Sequence, residues 1–178
     1  MRRPAWGRFQ FSRKGTSDVD KDDSGGRDIV IGTAGHAAAA SWDRYANDAM
    51  GYSVGVPDRL ALERESEGRV SFRQVDGSAQ LDVFGVTNPE RLTVGEFQAM
   101  MVAADPNRRI TYRAAGRSWF VLSGYLEDEA EPPIFYTKFM LNGRGTVLSA
   151  FEISYPQADK AEFNPLVEQM EDSLTSPH

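Results

Sequence analysis

Cysteine is absent from the 178 residues, which removes disulfide frameworks, thiolate metal sites and thiol nucleophiles together. Histidine, the usual general base and metal ligand, occurs only as His36 and His178. A catalytic group must be held within about 0.5 Å of its working geometry, and neither position, one in a tail and one at the last residue, is expected to provide that. Ser-His-Asp catalysis and His-ligated metals are therefore not expected, and no cofactor is. No apolar run reaches the roughly 18 residues that a membrane-spanning helix needs. Positive charge is also in deficit: 20 Lys and Arg face 26 Asp and Glu, giving a net charge of -6 and a pI near 5.0. Such a molecule is repelled by phosphate backbones, so no nucleic-acid partner is expected.

What remains is ordinary globular material. Hydrophobic residues make up 40% and charged residues 26% of the chain, enough for one sizeable core in a chain the length of one domain plus a tail. The tail is residues 1–41. It holds seven Lys and Arg against five Asp and Glu, leaving 13 against 21 from Trp42 onward. Its only strong apolar run is Ile29-Val30-Ile31, so it cannot offset the entropy of ordering and is expected to be disordered. Residues 34–41, rich in alanine, look like the cleavage region of a signal peptide without its hydrophobic stretch. A flexible linker in a cytoplasmic protein is one reading of this segment, and the remnant of an export signal is the other.

From Trp42 the chain becomes short, turn-punctuated segments, and residues 42–174 are expected to form a single α+β domain with a frayed end at 175–178. Trp42 and Tyr45, three apart, predict a turn or short helix, followed by a strand over 52–56 that Pro57 ends. Residues 70–73 and 81–84 alternate as strands do, with Asp76-Gly77 supplying the hairpin turn. Thr93-Val94-Gly95-Glu96 has the form of a capping box, with Leu92 and Phe97 placed as a hydrophobic staple. It predicts a helix over 94–104 that Asp105-Pro106 stops. Strands at 109–114, 118–126, 134–141 and 146–155 then predict an antiparallel meander. Trp119-Phe120-Val121-Leu122 lacks alternation, so helices should cover both faces of the sheet. Phe163, Leu166, Val167, Met170 and Leu174 form the stripe of a closing amphipathic helix, with a cap or kink expected at Asn164-Pro165.

Several segments resemble the Mog1/PsbP-like fold, in particular its small bacterial members. They are Gly51-Tyr52-Ser53-Val54-Gly55-Val56-Pro57, Trp119-Phe120-Val121-Leu122-Ser123-Gly124, Ile134-Phe135-Tyr136-Thr137-Lys138 and Phe151-Glu152-Ile153-Ser154-Tyr155-Pro156. The resemblance implies an αβα sandwich around a central antiparallel sheet of about six to seven strands. It also implies accessory or partner-binding roles, as in photosystem assembly or small-GTPase handling, although no signature for either matches here residue by residue.

The glycine-bearing segments Gly32-Thr33-Ala34-Gly35 and Gly143-Arg144-Gly145 lack the following Lys-Ser/Thr and the strand-to-helix context of phosphate loops. Asp20-Lys21-Asp22-Asp23 lacks the terminal glutamate of a calcium loop. Glu127, Asp128 and Glu129 form an acidic loop that could meet a basic partner, and a protein partner through this loop or a sheet edge is the expectation. Ser123, Tyr136, Lys138 and Tyr155 are the strand polar groups placed to line a face or cleft. Tyr136 and Lys138 share a face at i, i+2, which makes a lysine-lowered tyrosine pKa available chemistry. Two functions follow: a non-catalytic accessory or binding domain for a protein partner or small ligand, or a small hydrolase or isomerase with a carboxylate/Tyr/Lys site.

Overall fold

Nine strands and two helices make up the computed structural model, which describes residues 41–66, 68–127 and 130–176. The expectations for residues 1–40, for Asp128 and Glu129, and for 177–178 fall outside them. Strands β1 (Trp42–Asn47) and β2 (Tyr52–Pro57) form a separate hairpin, turned through Gly51 at φ 71°. This corrects the turn or short helix expected at 42–51. Trp42 and Tyr45 do face inward, but pairing with β2 extends the chain, and Tyr45 packs edge-on to Phe72 at 6.1 Å.

Strands β3 (Leu60–Ser66), β4 (Arg69–Gln74), β5 (Gln80–Thr87), β6 (Arg108–Ala115), β7 (Trp119–Leu126), β8 (Ile134–Leu141) and β9 (Val147–Tyr155) build one antiparallel sheet in the order β3-β4-β5-β9-β8-β7-β6. Two meanders, β3 to β5 and β6 to β9, meet where β5 pairs with β9. The crossover between them carries α1 (Val94–Ala104). Its capping box is formed: the Glu96 amide donates to the Thr93 hydroxyl at 3.3 Å, and the Thr93 amide donates to the Glu96 carboxylate at 2.7 Å. Strand β3 escaped sequence reading because Leu-Ala-Leu-Glu-Arg-Glu-Ser is made mostly of good helix formers and only Leu60 is buried. Pairing with β4 overrides that local preference.

The two faces of the sheet are unequal. Helix α2 (Lys160–Ser173) and the β1-β2 hairpin cover one, burying Val70, Leu81, Val83, Phe151 and Ile153 against Phe163, Leu166, Val167 and Met170. The other buries Phe84, Phe120, Leu122, Phe135 and Phe139, and α1 packs there against β7 with Val94 and Phe97 turned inward. Phe120 and Phe139 stack at 4.4 Å. Coverage of both faces is what the unalternated Phe120-Val121-Leu122 run requires.

Helix α2 follows a 3-10 turn at Gln157–Asp159 and runs through Pro165, so it is not capped at Asn164. Proline lacks only the one amide bond it would have made to the residue four before it, and the buried stripe on both sides of Pro165 holds the helix together. Thr175, expected to fray, is instead tied to β2: its amide donates to the Ser53 carbonyl at 2.9 Å, and the two hydroxyls meet at 2.7 Å.

Candidate functional site

Helix α2 straddles the sheet. One stripe enters the core, while Lys160, Asn164, Val167, Glu168 and Glu171, spaced i, i+4, i+7, i+8, i+11, look across a cleft toward β6, β7 and β8. The cleft is a cavity of about 350 Å³. Its floor is Ser123, Gly124 and Tyr125 of β7, Ile134 and Tyr136 of β8 and Tyr155 of β9, and its outer wall is Thr111 and Tyr112 of the edge strand β6. A bulge at Thr111 shifts the β6-β7 register so that Tyr112 lies opposite Ser123 on the cleft side. Gly124 makes this possible, because a Cβ there would lie 1.9 Å from the Arg109 carbonyl oxygen.

Glu171 organises one end of the cleft. Its carboxylate accepts from the Tyr136 hydroxyl at 2.6 Å and from the Lys138 ammonium at 3.2 Å, and its carbonyl accepts from the same ammonium at 3.0 Å. Burial, and then the negative charge and hydrogen bond of Glu171, push the Tyr136 phenol above its ordinary range. The lysine-lowered tyrosine that the i, i+2 spacing made available chemistry is therefore not what the structure holds. Both side chains do share a face, but the Lys138 charge is taken up by Glu171 rather than directed at the phenol. Burial also raises Tyr155, whose ring stacks on Phe163 at 4.6 Å.

A second polar constellation lies on the α1 face. Ser71, Asp82, Glu152 and Thr137 stand in one cross-strand row, with Asp82 directly opposite Glu152. Each carboxylate oxygen has a donor: Ser71 at 2.5 Å and Gln80 at 3.0 Å for Asp82, and for Glu152 both Arg108 nitrogens at 2.6 and 2.7 Å with Thr137 at 2.6 Å. Burial works against the Arg108 charge, but the Glu152 and Asp105 carboxylates outweigh it and raise its pKa. Two carboxylates so fully engaged by neighbouring side chains form a structural lock rather than an acid-base pair.

No protein-family model matches the sequence, and no curated protein does either. Solved structures do resemble it. Cyanobacterial PsbP (CyanoP) of Synechocystis superposes with a TM-score of 0.58 at 18% identity, covering 82% of this chain and 98% of its own. The Ran-binding protein Mog1p of Saccharomyces cerevisiae gives 0.57 at 8% identity, covering 78% and 96%. LpqN of Mycobacterium tuberculosis, described as involved in cell envelope biogenesis, gives 0.50 at 14% identity, covering 80% and 88%.

The chain has the Mog1/PsbP-like fold.

On this Mog1/PsbP-like sheet, three of the sequence-selected residues, Ser123, Tyr136 and Tyr155, line the same cleft. Lys138 stands behind it, locked to Glu171 and 5.7 Å from the Trp119 ring. The Ser123 hydroxyl donates to the Phe135 carbonyl at 2.8 Å, within the sheet. Glu127 is elsewhere, paired with Arg109 at 2.6 Å, and Asp128 and Glu129 lie outside the described residues. Sequence reading missed Tyr112, Lys160, Asn164, Glu168 and Glu171. The exposed flank of the α2 stripe was the available signal, since residues at i, i+4, i+8 beside a core stripe must face the sheet's margin. Among the described residues, no three His, Asp or Glu side chains are grouped to hold a metal, and no helix is long and apolar enough to cross a membrane.

Proposed function

We propose that this chain is a non-catalytic binding or accessory domain that holds a segment of a protein partner in the cleft between α2 and β6 to β8. The observation that carries the reading is the convergence of Tyr112, Tyr125, Tyr136 and Tyr155 on one cavity beside β6, which is an edge strand of the sheet among the described residues. Tyrosines give large amphipathic contact area at low entropic cost, and an open edge strand offers backbone donors and acceptors to an extended segment. Three of the groups that acid-base chemistry could use there are engaged: a raised phenol at Tyr136 bonded to Glu171, an ion-paired Lys138 and a Ser123 hydroxyl bonded to backbone. Mog1p, named as a Ran-binding protein, is an instance of this fold holding a protein. Of the two routes to a partner, the sheet edge next to the cleft is favoured over the acidic loop, because Glu127 is already neutralised by Arg109.

The reading is tested by placing a photo-crosslinking residue at Tyr112, 56% exposed at the cleft, and separately at Leu62, 60% exposed on the far edge strand. In cells that naturally make the chain, Tyr112 should crosslink one discrete protein and Leu62 should not. Asn164→Arg, which fills the cleft from α2, should abolish the adduct. Equal crosslinking from both edges, or an adduct indifferent to the blocked cleft, would sink the proposal.

A further inference from the structure

The cleft is electrically lopsided along α2. Lys160 stands at one end, and Glu168 and Glu171 stand at the other, the eight residues from Lys160 to Glu168 spanning about 12 Å of helix. At the acidic end Glu171 is satisfied by Tyr136 and Lys138. Glu168, also lining the cleft, is exposed and makes no hydrogen bond or ion pair among the described residues. Asp172, one residue past Glu171, is exposed and adds to the same negative end.

The walls are suited to a cation too. The Arg109 guanidinium, paired with Glu127, already lies 4.5 Å from the Tyr125 ring centroid, and the Lys138 ammonium already sits between Trp119 and the Glu171 carboxylate. Each is an internal example of a basic group held by an aromatic face or by a carboxylate on this side of the sheet. Glu168 and the exposed ring of Tyr112, which line the same cleft, present both kinds of partner.

Resting on the cleft reading above, we infer that the occupant is an extended protein segment that places an arginine or lysine side chain at the Glu168 end, between that carboxylate and the tyrosine wall. Lys160 then sets polarity, favouring an acidic or carboxylate-bearing position about four extended residues away along the bound segment, since a strand advances about 3.3 Å per residue.

Three acetylated hexapeptides, identical except for one arginine, citrulline or glutamate, test this by titration into the full chain while amide and aromatic NMR signals of Tyr112, Tyr136, Val167 and Glu168 are followed. The arginine peptide should shift these signals saturably, with at least tenfold higher affinity than the citrulline peptide. That advantage should shrink in high salt and vanish in Glu168→Gln, an exposed substitution that leaves the core untouched. Citrulline or glutamate binding in the cleft as tightly as arginine would overturn the charge inference and leave the cleft reading standing. Peptides that move none of these signals would overturn both.

Discussion

Tyr52, Tyr136 and Tyr155 all have phenols raised above the ordinary value near 10, chiefly by burial. A proton held more tightly in the folded state than in the unfolded state contributes stability below the unfolded pKa, and that contribution is lost as pH rises toward the folded one. Below pH 10 these three groups leave stability unchanged. Above it, each phenol that ionises only on unfolding removes about 1.4 kcal/mol per pH unit, so Tyr52 and Tyr136, the two raised most, together remove roughly 3 kcal/mol per unit, and Tyr155 adds to this until it ionises. By about pH 12 the loss is on the order of 5 kcal/mol, which reaches the lower end of an ordinary domain's whole stability. An alkaline titration followed at once by tyrosinate absorbance and far-ultraviolet circular dichroism reads this directly. Of the six tyrosines, Tyr52 and Tyr136 should stay protonated until the dichroism signal collapses, and then ionise with it. Tyr136→Phe should lessen the pH dependence by about a third to a half. Six phenols titrating together near pH 10 with the fold intact would refute the assignment of these rings to buried, carboxylate-facing or apolar surroundings.

Two further substitutions probe the frame of the cleft. Gly124→Ala places a methyl 1.9 Å from the Arg109 carbonyl oxygen, so β6 must move off β7. The expected cost is about 2 kcal/mol or more in urea unfolding, with peptide affinity at the cleft lost even where the protein remains folded. Arg108→Met strands the buried Glu152 carboxylate and should cost about 3–5 kcal/mol, whereas Arg108→Met with Glu152→Leu should recover most of it. A single mutant as stable as the parent in urea would show that the cross-strand row is no lock.

Much of the fold was legible because its signals were local. The Thr93-Glu96 box fixes the start of α1 with groups three residues apart, and Gly77, at φ 76°, turns the β4-β5 hairpin as Asp-Gly predicts. Strands β6 to β9 could be read as a meander because each turn follows directly on a β-rich run. What escaped depends on partners distant in sequence. Strand β1 is a strand because β2 pairs with it, and β3 because β4 does. Pro165 left open a helix start at Asn164 or a longer helix from near Asp159 running through it, and the core stripe decides for the longer one.

The same contrast explains the site. Ser123, Tyr136 and Tyr155 could be singled out in the sequence as strand polar groups placed to line a face or cleft, but what they face is supplied by a helix 35 residues further on, where Glu171 meets Tyr136. Sequence proximity offered Lys138 as the neighbour that tunes the phenol. Tertiary structure inserted a carboxylate that neutralises the lysine and raises the tyrosine instead. Asp82 and Glu152 carry the parallel lesson on the other face. Each sits between apolar residues, a pattern that suggests a strand with one wet side, but a sheet covered on both faces has no wet side at its centre. Polar residues alternating within such a strand must therefore find partners across the sheet, and this requirement alone predicts a buried network in the central strands, as Ser71, Thr137 and Arg108 provide. An unengaged carboxylate on the same molecule is correspondingly informative: Glu168 stands where solvent reaches it, in the cleft that the exposed Tyr112 also lines, and its charge is available to a partner.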